Sequence, residues 1–125
     1  MIDHVSVAVS DLTASAGFYE EILEPLGMTR MVDRERTVGF GKRYPEFWLN
    51  ARPDMMPVDH DAGHHVCLRA PSEAAVKSFY ERAIDHGGWG DGAPGIRKAS
   101  MTSYFGAFIR DPDGNRIEAV NFPRD

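Results

Sequence analysis

His4-Val5-Ser6-Val7-Ala8-Val9 and His65-Val66-Cys67-Leu68-Arg69-Ala70 lie over one another at an offset of 61. The same offset, without a gap, pairs Ala14 with Ala75, Phe18 with Phe79, Tyr19 with Tyr80, Glu20 with Glu81 and Gly27 with Gly88. Identities held in one ungapped register mark an internal repeat. Each copy opens with alternating residues. Period two puts Val5, Val7 and Val9 on one face of a strand and His4 on the other; Val66, Leu68 and Ala70 stand opposite His65 in the same way. Asp11 and Ser72 follow, side chains suited to accept from free amides of a first helical turn. Val76, Phe79, Tyr80, Ala83 and Ile84 then form one helical stripe, matched in the first copy by Ser15, Phe18, Tyr19, Ile22 and Leu23. Pro25 with Gly27, and Gly87-Gly88, end these helices.

The remainder of each copy reads as short strands: near residues 28–32, 37–41 and 46–50 in the first, and near 97–99, 104–110 and 116–122 in the second. Asp111-Pro112-Asp113-Gly114-Asn115 is a hairpin turn, with Pro pre-setting φ and Gly and Asn tolerating φ > 0. Residues 87–95 hold five glycines and read as a long loop. The expectation is an α+β chain of two βαβββ modules, about 1–51 and 64–125, joined by a linker at 52–63 into one domain spanning 1–125.

Composition bounds the function. At 125 residues, 42% hydrophobic and 26% charged, the chain is of ordinary globular composition and long enough for a core without staples. No apolar run approaches the roughly 20 residues of a membrane helix. The opening residues lack the pattern of a signal peptide. The single cysteine, Cys67, excludes an internal disulfide and suits a reducing cytoplasm, where the chain is expected. A net charge of −5 without a basic run argues against nucleic acid and anionic membranes as partners.

The repeat changes the reading of the histidines. Two modules packed side by side about a pseudo-twofold would bring His4 and His65 to one concave surface, and imidazole is the commonest metal ligand. In the last strand Ile117 and Ala119 flank Glu118, which therefore points to the opposite face. His4, His65 and Glu118 make a two-histidine, one-carboxylate set with open positions. That set suits Fe(II) or Mn(II), and zinc equally.

These residues resemble the vicinal oxygen chelate superfamily: glyoxalase I, extradiol dioxygenases, fosfomycin-resistance thiol transferases, methylmalonyl-CoA epimerase and bleomycin-resistance binding proteins. The marks are Asp3-His4-Val5-Ser6-Val7-Ala8-Val9-Ser10-Asp11-Leu12 with Phe18-Tyr19, Gly63-His64-His65-Val66, the run from Gly92 to Arg97, and the closing motif from Asp111 to Val120. The resemblance implies paired βαβββ modules forming a half-open, eight-stranded barrel with helices outside, around one divalent metal ion (Fe, Zn, Mn or Ni). It implies ligands at His4, His65 and Glu118. It also implies an enzyme of the dioxygenase or glyoxalase-like lyase and isomerase type, with a small substrate chelating the metal through adjacent oxygens. Metal-free sequestration of a small molecule, as in bleomycin resistance, and thiol transfer are the alternatives within the same family.

Glyoxalase I and the epimerase resemble each other in a further Glu or Gln ligand on the last strand of the first module. Here that strand reads Glu46-Phe47-Trp48-Leu49-Asn50, and Trp48 is the module equivalent of Glu118. An indole cannot ligate, so three protein ligands are expected, with Glu118 and a metal-bound water as the suspected catalytic groups. Trp48 reads as a stacking plate for substrate or as an ordinary core aromatic. Arg69, on the face of His65 and Cys67, reads as a fork for a substrate carboxylate or as a solvated arginine. Arg97 and Tyr104 flank the second hairpin and are candidates to close over substrate; Glu46 is a further substrate contact. Cys67 reads as a small buried thiol. Exposed sheet edges favour pairing with a second copy, and a homodimer is expected.

Overall fold

The computed structural model describes residues 1–98 and 101–123. The first copy comprises β1 (Val5–Val9), α1 (Leu12–Leu23), β2 (Thr29–Asp33), β3 (Thr37–Gly41) and β4 (Pro45–Ala51). The second comprises β5 (Val66–Arg69), α2 (Glu73–Asp85), β6 (Trp89–Lys98), β7 (Ser103–Arg110) and β8 (Arg116–Asn121). Both are βαβββ. The strands form two four-stranded mixed sheets, ordered β1-β4-β3-β2 and β5-β8-β7-β6. In each, the opening strand runs parallel to the closing one, and the other pairings are antiparallel.

The register makes the repeat physical. Ser6 pairs with Trp48 across β1 and β4, and Cys67 pairs with Glu118 across β5 and β8. Ser6 and Cys67 are 61 apart, so Trp48 occupies in the first sheet the place Glu118 occupies in the second.

Asp11 and Ser72 cap α1 and α2, accepting from the amides of Ala14 and Ala75 at 3.1 Å. One apolar face of each helix lies on its own sheet: Phe18, Tyr19, Ile22 and Leu23 from α1, and Val76, Phe79 and Ala83 from α2, are all buried. Ile84, at the margin of the expected stripe, is exposed instead. After α1 a short 3-10 turn over Glu24–Leu26 ends at Gly27, whose φ of +83° closes the helix.

Residues 87–95 are not a long loop. Most of that stretch belongs to β6, a ten-residue strand that begins at Trp89. Glycine weakens strand propensity, which explains the expectation. Here the glycines serve bulges in the β6–β7 ladder, one between Gly90 and Gly92 and one between Gly92 and Gly95. A Cβ at Gly90 would strike the Tyr80 hydroxyl. The strand expected near 97–99 is the end of β6, and its residue Ala99 lies outside the described residues.

The modules are tied at the turn between β7 and β8. Asp111 is fully buried, and its carboxylate accepts from the Tyr19 hydroxyl at 2.6 Å and from the Asn115 side-chain amide at 2.8 Å. Asn115 also donates to the Ala8 carbonyl at 2.8 Å, and Asp113 accepts from the Ser10 amide at 2.9 Å. A single apolar core runs through both copies. The edge strands β1 and β5 flank an open groove lined by His4, Val5, Glu46, His65 and Cys67. Among the described residues no ladder joins the two sheets, so the eight strands form a half-open assembly and not a closed barrel. No helix among the described residues is long and apolar enough to cross a membrane.

Candidate metal centre

Alternation along β8 decides the site. Ile117 and Ala119 are fully buried against α2, which turns Arg116, Glu118 and Val120 to the concave face. Glu118 is nevertheless only 4% exposed. One of its oxygens lies 3.0 Å from Nε2 of His65. The other, Oε2, is buried without a hydrogen-bond partner among the described residues. A carboxylate oxygen left without a partner away from water is costly, and buried charges are met by pairing or by a bound cation. The donor set therefore fits a divalent cation, with His65 and Glu118 as the pair that would hold it.

His4 lines the same groove as His65, at its exposed rim. Its side chain is 55% exposed, and its Nδ1 lies 2.7 Å from an oxygen of Asp3. His4 is thus in the same groove as His65 but not in the His65–Glu118 contact. Among the described residues no group of three or more His, Cys, Asp or Glu side chains is gathered to hold a metal ion.

Around Glu118 the concave face is crowded with functional groups. Cys67 pairs directly with Glu118 in the ladder. The residue is exposed, not buried as expected. Partial loss of solvent around the sulfur, and then the Glu118 charge, push its thiol up to about 12. Burial, and after it Glu118, also push the Tyr104 hydroxyl upward. The Tyr104 ring leans over Gly106, where a Cβ would lie 3.1 Å from it, and packs 5.6 Å from Phe122. Arg69 stacks on the other aromatic of that corner, 4.9 Å above Phe122. Arg97, in line with Tyr104 across β6 and β7, donates to the Ala93 carbonyl at 2.7 Å.

The first sheet presents a plainer face. Phe47 and Leu49 are fully buried, which turns Glu46 and Trp48 outward, both half-buried. Glu46 lines the groove with His4 and His65. The Arg34 guanidinium sits 5.8 Å above the Trp48 ring. Trp48 thus stands half-buried on the concave face, in the position of Glu118, and is not a member of the core.

Two neighbours escaped the sequence reading. Phe108 pairs with Glu118 in the β7–β8 ladder and meets the His65 ring edge-on at 5.5 Å. Arg116 lies 3.9 Å above the Phe108 ring and donates to Asp91 at 2.8 Å. The signal for Arg116 was present, since it stands two residues before Glu118 and shares its face. Phe108 required the register of the sheet.

Comparison with known proteins identifies the family. Residues 1–119 match the family model for the Glyoxalase/Bleomycin resistance protein/Dioxygenase superfamily. A glyoxalase/bleomycin resistance protein from Albidiferax ferrireducens T118 superposes with a TM-score of 0.84 at 31% identity, over 97% of this chain and 98% of that one. A glyoxalase/bleomycin resistance protein/dioxygenase family enzyme from Burkholderia phytofirmans PsJN shares the fold, with a TM-score of 0.71 at 16% identity over 97% and 98% of the two chains. The metallothiol transferase FosB of Shouchella clausii (strain KSM-K16) is 25% identical over 117 residues, 94% of this chain and 77% of that protein. With the family model spanning nearly the whole chain, and both modules seen in the fold, the protein belongs to the glyoxalase/bleomycin resistance protein/dioxygenase superfamily.

Proposed function

We propose that the chain is a divalent-metal-dependent enzyme acting on a small substrate that chelates the ion through two adjacent oxygens. The observation that carries this reading is the unpartnered oxygen of Glu118, buried beside His65. His65 and Glu118 are the first two ligands and His4 the third. The ion (Fe, Zn, Mn or Ni) would act as a Lewis acid, stabilising negative charge that develops on the bound oxygens. The protein's own contribution is position. The β5–β8 ladder holds Glu118 on a rigid strand and begins at Val66, directly after His65; the Phe108 ring packs against the imidazole, and Trp48 and Tyr104 present a plate and a hydroxyl to the substrate side. Glu118 would help hold the ion and is the side chain in line to move a proton. Similarity to a metallothiol transferase favours thiol addition to a small electrophile as a reaction to assay beside lyase, isomerase and dioxygenase chemistry.

The protein works as a homodimer in the cytoplasm on this reading, and His4 reaches a centre from the same chain or from a second copy. Elemental mass spectrometry of untagged protein tests the site. Near one equivalent of metal per chain in wild type, and none in H65A or E118A of unchanged circular dichroism, supports it; full metal retention in both variants sinks it. Mixing H4A with E118A subunits separates the two origins of His4, because only centres shared between chains regain metal.

The second reading is a metal-free binding protein that sequesters a small molecule in the groove. It is favoured by the absence of a gathered three-ligand group among the described residues. In that case ligand-induced stabilisation is untouched by chelators.

A further inference from the structure

The two imidazoles of the groove each have a carboxylate partner, and the two carboxylates come from different places. In the second module Glu118 of β8 lies 3.0 Å from Nε2 of His65. In the first module the equivalent position of β4 is Trp48, which offers no carboxylate. There the partner is Asp3, with one oxygen 2.7 Å from Nδ1 of His4. The offset of 61 sets His64 where Asp3 stands, so the second module does not repeat the arrangement.

The contact is not a by-product of the strand. Consecutive side chains of a strand point to opposite faces and do not meet. Asp3 meets His4 because the β1 ladder begins at Val5, and both residues precede it. Nor does the pair hold the fold. The Asp3 and His4 side chains are 79% and 55% exposed, and an ion pair so open to water contributes little to stability. What the contact acts on is the imidazole. An ionised carboxylate only accepts hydrogen bonds, so it favours the neutral ring that carries its proton on Nδ1 and its lone pair on Nε2. Among the described residues Nε2 of His4 has no hydrogen-bond partner, and Asp3 has none besides His4. His65 is braced by Phe108 and Glu118, whereas the hydrogen bond that orients His4 is the one to Asp3.

We infer that Asp3 is a positioning residue: it fixes His4 in the Nδ1–H tautomer and leaves Nε2 as the nitrogen that takes an ion in the groove. The use of that nitrogen rests on the metal-centre reading, but the tautomer belongs to Asp3 and is present without metal.

Long-range proton–nitrogen NMR of EDTA-treated protein reads the tautomer at about pH 8, where an ordinary imidazole is neutral. In wild type the His4 proton lies on Nδ1. In D3A it moves to Nε2, the form an unconstrained histidine prefers. In D3N the amide oxygen still accepts, so more of the Nδ1–H form is kept than in D3A. His65 keeps its signals in all three and is the internal control. Zn(II), titrated by calorimetry, is the probe of the second arm. D3A weakens its binding about tenfold, as loss of a carboxylate behind a ligating imidazole does, and D3N weakens it less. In an H4A background D3A adds no further loss, because Asp3 acts through His4. A His4 tautomer that is the same in wild type and D3A overturns the inference. So does a D3A loss that persists in full in the H4A background, which would make Asp3 a ligand in its own right. Wild type that takes up no Zn(II) but holds the Nδ1–H tautomer through Asp3 keeps Asp3 as the residue that positions His4 and removes the metal-centre reading, so the two failures are distinguishable.

Discussion

The Tyr19 hydroxyl and the Asp111 carboxylate are 92 positions apart in the chain and 2.6 Å apart in the fold, both at 0% exposure. They join α1 of one module to the β7–β8 turn of the other. The same carboxylate accepts from the amides of Asp113 and Asn115, so one buried aspartate organises the turn and holds the modules together.

That pair gives the first prediction. Y19F leaves Asp111 short of one donor in a site closed to water and costs about 1–3 kcal/mol of unfolding free energy. Burial raises the Asp111 carboxyl above its ordinary value, with Tyr19 and Asn115 holding it down in part. A raised folded-state pKa means the unfolded chain gives up its proton first as pH rises. Asp111's contribution is therefore full below the ordinary carboxylate pKa and is lost as pH climbs through the folded value. The stability difference between wild type and D111N, from urea titrations between pH 3 and 7, should shift in favour of D111N with rising pH across that window. A difference that is flat in pH refutes this.

Glu118 gives a second prediction, in which stability and function part. Its unpartnered buried oxygen strains the metal-free protein. Replacing it with an apolar side chain of similar volume, E118M, should raise the stability of EDTA-treated protein by about 1–3 kcal/mol. The same variant should lose the rise in melting temperature that added metal produces in wild type. Thermal scans with and without EDTA check both halves. An E118M protein less stable than metal-free wild type would show that the His65 contact alone satisfies the carboxylate.

Asp91 gives the third. Burial tends to raise its carboxyl, but Arg116 and Arg110 outweigh it and hold the group below its usual value. A lowered folded-state pKa gives stability that is present above the ordinary carboxylate pKa and lost as pH falls through the folded one. D91N removes the only carboxylate that hydrogen-bonds the buried Arg110 among the described residues. It should cost about 1–3 kcal/mol at pH 7 and clearly less near pH 3. Equal loss at both pH values would mean the ion pairs contribute little.

The ungapped offset of 61, the period-two strands and the capped helical stripes determine two βαβββ modules, because each local pattern buries an apolar face only in that element. The same alternation put His65, Glu118, Trp48 and Arg69 on one face, and a residue's face is a local property of a strand. Sequence could not show that the glycines after α2 bend a strand and do not make a loop, because a bulge depends on the β7 partner it is paired against. Nor could it show that Phe108 and two arginines crowd the His65–Glu118 pair. That arrangement comes from the lateral register of four strands and from which carboxylate each arginine reaches. His4 marks the boundary most clearly. Its place in the repeat assigns it to the concave side, but whether a rim imidazole meets His65 and Glu118 is set by how the two module edges approach one another, and those edges share no hydrogen-bonded ladder to specify it.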